Sequence, residues 1–251
     1  MTSGAWAEPV RVYAAGSLVA ALKDVIAASG LPAEAVAAPT FGPAGLLRQR
    51  IEAGEKVDLY LSADFAGPRR LAAAGKAQNV VPFARNRLCV YARADLGLTS
   101  DNLLDRLLNP DLRLATSTPG ADPGGDYAFA VFDRADAEHP GAKAVLEKKA
   151  LKLLGSPNTM VPVAGRSPAA TVFLGNNADA LLYYCSGQSG TMKEAPGLSL
   201  VQLPPSLSVP ATYAMALISD NPDAARLALF LVSEKGQAIL ARHELRPISG
   251  P

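Results

Sequence analysis

Four short segments carry the residues best suited to bind a charged guest. They are Ala14-Ala15-Gly16-Ser17, Phe41-Gly42-Pro43-Ala44-Gly45, Asp122-Pro123-Gly124-Gly125-Asp126 and Gly165-Arg166-Ser167-Pro168. Each stands where a strand-like run gives way to a helix-like one. A helix start presents unpaired N–H groups and the positive end of the aligned peptide dipoles. Glycine lets a ligand approach that backbone closely. Such ends are ready anion sites. In open α/β sheets, ligands gather beyond the carboxyl ends of the strands, where these turns fall. Four turns meeting at one spot would hold a dianion largely with neutral donors. One turn alone carries little, because Gly, Ser and Pro mark helix starts generally. In the fourth turn, Ser167 fits an N-cap and Pro168 the first helical position.

Catalytic chemistry finds no comparable grouping. His139 sits in the polar turn Ala137-Glu138-His139-Pro140-Gly141, and His243 in Arg242-His243-Glu244. Neither lies in a nucleophile elbow or a metal-binding motif. With two Cys and two His, a dedicated zinc site is not expected. We therefore assign no catalytic residue, no metal ligand and no cofactor, and expect a binding protein in place of an enzyme.

The elements that must position these turns alternate. Val10–Ala14 reads as a strand, and Leu18, Ala21, Leu22, Val25 and Ile26 then recur at helical spacing. A strand at 35–40, a loop at 41–43, a helix through Leu46, Leu47, Arg50 and Ile51, a strand at 58–62 and a helix at 68–74 follow. The rhythm repeats with strands at 87–93 and 112–116, helices at 127–134 and 142–154, and strands at 178–184 and 212–219. Helices at 224–232 and 236–241 close the chain. This βα alternation predicts mainly parallel sheets covered by helices.

At 251 residues, two lobes or one large domain are both possible. A formal net charge of +1 lacks the basic excess of a nucleic-acid binder. No apolar run approaches the roughly 20 residues of a membrane span. Ala5-Trp6-Ala7 before Glu8-Pro9 fits the end of a trimmed export signal. Cys89 and Cys185 both lie in apolar strand-like runs, which favours buried thiols, with a disulfide as the alternative.

Val12-Tyr13-Ala14-Ala15-Gly16-Ser17-Leu18 and the stretch Leu46 to Asp64 resemble the periplasmic molybdate-binding proteins of ABC importers. The resemblance continues through Asp122–Ala128 and Ala180–Tyr184. It implies a type II periplasmic-binding-protein fold: two α/β lobes, each a mixed sheet flanked by helices, joined by hinge strands. Lobe I would take 8–86 and 217–251, and lobe II 87–216, with crossing strands near 88–93 and 213–219. It also implies a monomeric periplasmic protein that closes on a small oxyanion, molybdate or tungstate, in an interlobe cleft and delivers it to an ABC permease. The matching ligand positions are Ser17, Ala44, Gly124, Arg166 and Tyr184. Two depart from the family pattern. Ala44 stands where a serine is usual, and Arg166 where a small or apolar residue is usual. An Arg can clamp an anion with two parallel hydrogen bonds. Those departures leave room for a larger anion, such as an organic phosphate, a carboxylate or an anionic metal chelate; the sequence also leaves open a role in sensing instead of import. Asp58 and Asp64 read as turn and capping residues, and Asp122 and Asp126 as caps or as partners of Arg166.

Overall fold

The computed structural model of the chain describes residues 8–160, 163 and 166–248. In chain order it gives β1 (Val12–Ala15), a 3-10 turn (Gly16–Leu18), α1 (Val19–Ala28), β2 (Thr40–Gly42), α2 (Ala44–Glu52), β3 (Leu59–Ser62), α3 (Ala66–Ala73) and β4 (Asn79–Arg93). Next come α4 (Leu103–Leu108), β5 (Leu114–Ser117), α5 (Pro123–Glu138), α6 (Ala142–Lys149), β6 (Leu151–Leu154), α7 (Pro168–Leu174), β7 (Ala180–Tyr184), α8 (Gln188–Glu194) and β8 (Leu198–Gln202). The chain ends with β9 (Pro210–Leu217), α9 (Pro222–Val232) and α10 (Glu234–Arg242).

These elements form two units, Met1–Arg85 with Thr212–Pro251, and Asn86–Ala211. The chain thus leaves the first unit within β4 and returns near the start of β9. The return was expected at 216/217, near the end of that strand.

In the first unit the strand order is β2-β1-β3-β9, with the start of β4 beside β9. β1 runs parallel to both β2 and β3, and β9 runs antiparallel to β3. Every residue of β1 and β3 is buried. Continuous apolar strands of this kind are what a sheet covered on both faces requires. α1 buries Ala21, Leu22 and Val25 and packs against α9 and α10, while α2 packs on α3. Asn221 caps α9 with Pro222 at its first position, and Ser233 caps α10 through the Gly236 N–H at 3.2 Å. Asp58 is buried where it accepts the Arg11 N–H at 2.7 Å and the Ser219 hydroxyl at 2.6 Å. It holds β1 to the end of β9, the structural role expected for it.

The second unit orders its strands β8-β4-β7-β5-β6. β5 is parallel to β6 and β7, and β4 is antiparallel to β7 and β8. Its core gathers Tyr91, Ala115, Leu154, Ala169, Val172, Ala178 and Leu181. Arg113 and Asp179, at the adjoining ends of β5 and β7, pair at 2.6 Å. That guanidinium holds the Asp179 carboxyl below the usual carboxylate range.

Several expectations are corrected here. The helix foreseen over 142–154 stops at Lys149, and Leu151–Leu154 is β6, paired with β5. The open edge of β5 offers ladder hydrogen bonds that outweigh local helix propensity. The strand foreseen at 35–40 lies at Thr40–Gly42, because Ala33–Ala35 forms a 3-10 turn and only Val36 bridges to Val10. Helices α4 and α8 and strand β8 were not foreseen. Cys89 and Cys185 are joined in a disulfide with Cα atoms 5.1 Å apart, so they are not thiols. The β4–β7 pairing sets Cys89 opposite Tyr183, two residues before Cys185. That separation lies within the bridging range. The export-signal segment Ala5–Ala7 lies outside the described residues. No helix among the described residues is long and apolar enough to cross a membrane.

Candidate functional site

In the first unit, parallel pairing does the assembling. β1 and β2 run side by side in register, with Ala14 opposite Phe41 and Ala15 opposite Gly42. Their exits are therefore neighbours, and a Cβ on Gly16 would stand 4.0 Å from the Gly42 carbonyl oxygen. Ser17 follows β1 and Ala44 opens α2, so the two predicted residues are brought together. The 3-10 turn, α1 and α2 all start without a side-chain cap. Among the described residues, no capping side chain takes up their first N–H groups.

Two tyrosines support this pair. The Ser17 hydroxyl lies 2.9 Å from the Tyr213 hydroxyl, and Tyr213 is wholly buried on β9. Edge-on packing against Phe83, with centroids 6.2 Å apart, orients the Tyr213 ring. Under Ala44, the Tyr60 hydroxyl donates to the Ala44 carbonyl at 2.7 Å, with Ser62 Oγ 3.1 Å away. Ser62 donates to Asp64 at 2.8 Å, and Asp64 also accepts the Gly67 N–H at 3.1 Å. Burial pushes the Tyr60 hydroxyl well above its ordinary pKa, so it stays a protonated donor. Asp64 is thus the turn residue it was expected to be.

The second unit brings Gly124 and Tyr184 together. A Cβ on Gly124 would stand 3.2 Å from the Tyr184 ring. Tyr184 is buried, packs edge-on against Tyr127 and Tyr183, and its carbonyl accepts the Tyr91 hydroxyl at 2.9 Å. The Gly124 amide, expected as a free donor, is committed: it donates to Asp122 Oδ1 at 3.1 Å. Asp126 accepts the Gly120 N–H at 2.8 Å. Both acids therefore serve the turn before α5, the capping alternative foreseen for them. Close to the place a Cβ on Gly124 would take, with its Oγ 3.5 Å away, lies a residue the sequence did not single out. Ser117, at the end of β5, is wholly buried, and its Oγ has no hydrogen-bond partner among the described residues.

At the fourth turn, Gly165 lies outside the described residues. Ser167 caps α7, its Oγ accepting the Ala170 N–H at 3.1 Å, and Pro168 follows as predicted. The Ser167 N–H donates to the Glu194 carboxylate at 2.6 Å, so a side chain of the protein already fills this helix start. Arg166 is exposed, and its N–H donates to the Val163 carbonyl at 2.9 Å. Among the described residues no group of His, Cys, Asp and Glu is arranged to hold a metal ion.

The fold is of the α/β class, with sheets flanked by helices in each of the two units. The chain belongs to the bacterial extracellular solute-binding proteins, whose family pattern matches residues 10–246. It is 40% identical over 177 residues to an uncharacterised protein of Pasteurella multocida (strain Pm70), covering 70% of this chain and 73% of that one. The Azotobacter vinelandii periplasmic molybdate-binding protein shares the fold with TM-score 0.71 at 17% identity, over 96% of this chain and 99% of that one. The Actinobacillus pleuropneumoniae periplasmic binding protein AfuA, with fructose-6-phosphate bound, shares it with TM-score 0.69 at 11% identity, over 94% and 82%. At these identities the two structures speak to the fold alone. The chain is thus a solute-binding protein of the two-lobed periplasmic-binding class.

Proposed function

We propose that this solute-binding protein captures a small oxyanion, molybdate or tungstate foremost, in the periplasm and hands it to an ABC permease. One observation carries the reading. Two helix starts without side-chain caps emerge side by side from β1 and β2, with the Ser17 hydroxyl held by that of Tyr213. Amides and a hydroxyl fixed in this way neutralise an anion without a counter-charge. The resemblance to molybdate-binding proteins adds Gly124 and Tyr184 of the second unit as further contacts.

A second reading has its own support. Ala44 lacks the serine hydroxyl usual at its position, and Asp122 and Glu194 place carboxylates at the helix starts of the second unit. Carboxylates repel a bare dianion and accept hydrogen bonds from ligand hydroxyls. That balance favours a phosphorylated organic molecule over a mineral ion.

A thermal-shift panel of molybdate, tungstate, sulfate, inorganic phosphate and fructose-6-phosphate separates the two. Binding to the folded state alone stabilises by about 2.7 kcal/mol at a hundred-fold excess over Kd. A concentration-dependent rise in Tm with molybdate or tungstate is expected. A rise with fructose-6-phosphate alone selects the second reading, and a flat response to all five contradicts both.

A further inference from the structure

We propose that Ser117 is the ligand-contacting hydroxyl of the second unit and sets how tightly that unit holds a tetrahedral oxyanion. The inference rests on the oxyanion reading and deepens it. The main-chain donors at the start of α5 are spent within the turn. The Gly124 N–H donates to the Asp122 side chain at 3.1 Å, the Gly125 N–H to the Asp122 carbonyl at 2.9 Å, and the Asp126 N–H to the same carbonyl at 3.4 Å. Thr118, next to Ser117, spends its hydroxyl on the Leu154 carbonyl at 2.8 Å. Ser117 keeps unspent capacity while wholly buried, as does the neighbouring Thr116, and of the two it is Ser117 whose Oγ comes close to Gly124. Buried hydroxyls without partners are uncommon because their desolvation goes uncompensated.

Position gives that capacity a direction. Ser117 Oγ lies 3.5 Å from the place a Cβ on Gly124 would take, and the Tyr184 ring edge lies 3.2 Å from the same place. The hydroxyl and the ring edge therefore both border the side of Gly124 that carries no side chain. Contact with an anion requires that ring to swing off Gly124 about its own side-chain bonds. The main chain of Tyr184 need not follow, since Tyr91 holds its carbonyl and the Cys89–Cys185 disulfide holds the next residue. A hydroxyl donates to an ionised oxygen and accepts from a protonated one. Ser117 thus suits a tetrahedral oxyanion in either state, accepting from the proton of a phosphate that keeps one, where an amide N–H can only donate.

The test uses the full chain and two variants, Ser117→Ala and Gly124→Ala. Molybdate, inorganic phosphate and fructose-6-phosphate are titrated by calorimetry, and the Tm without ligand is recorded. For whichever probe the wild type binds, Ser117→Ala should weaken affinity roughly ten-fold to a hundred-fold. Its unliganded Tm should hold or rise, because the variant removes a polar atom that the fold leaves unpaired. Gly124→Ala should weaken affinity too, by setting a methyl group between Ser117 and the ring. Affinity within two-fold of wild type in either variant overturns the assignment and leaves the oxyanion reading standing. A fall in both affinity and Tm for Ser117→Ala marks a hydroxyl that serves the fold and also overturns it. If the wild type binds none of the three, the oxyanion reading fails and this inference with it.

Discussion

Ser17 and Ala44 could be singled out as candidate donors because strand-to-helix turns announce themselves by residue type. Their supports were not. Tyr213 stands 196 residues from Ser17, and only the β3–β9 pairing beside β1 brings its hydroxyl there. Ser117 was equally hidden, since a serine at a strand end is ordinary until its burial and lack of a partner are seen. The role expected of the Gly124 amide was changed by Asp122, two residues away. Gly125 shows how tightly this turn is built. A Cβ there would stand 2.4 Å from the Thr118 carbonyl carbon and 2.5 Å from the Pro119 nitrogen. Both are backbone atoms that cannot rotate away. Gly125→Ala should cost about 2–3 kcal/mol, as forced overpacking does. Denaturant unfolding checks it, and a loss under about 0.5 kcal/mol would show that the turn yields.

At the scale of elements, the βα alternation in the first 75 residues was readable because apolar runs and helical spacing there agree with the tertiary result. Reading failed where pairing decided the outcome. Leu151–Leu154 has the composition of a helix end, yet it completes a sheet edge. The cysteines have the same cause, since two apolar strands 96 residues apart in sequence give no sign that they are neighbours. β4 now fastens the end of β7 by the disulfide, by the Tyr91 bond to the Tyr184 carbonyl and by Asn86 to Ser186 at 2.8 Å. The bridge closes a long loop, and removal of a native disulfide typically costs 2–5 kcal/mol. The double variant Cys89→Ala/Cys185→Ala should lose about that much in denaturant unfolding. Stability equal to wild type would mean that the remaining strand pairing suffices.

At the scale of the whole molecule, composition excluded more than it proposed: a charge near zero spoke against a nucleic-acid binder, and the binding role rests on the family match. The fold class followed from the resemblance of two short motifs, and the family match over residues 10–246 secured it. The guest was less legible, because fixed donors discriminate by fit, and the groups proposed to set that fit, such as Tyr213 and Ser117, come into place only on folding. The central claim is that the first unit grips an anion through the turn at Ser17. A calorimetric titration of molybdate into wild type and Ser17→Ala tests it most directly. Loss of a hydrogen bond to a charged group costs about 1.5–3 kcal/mol, so the variant should bind roughly ten-fold to a hundred-fold more weakly with its fold intact. Superimposable isotherms for the two proteins would contradict the account.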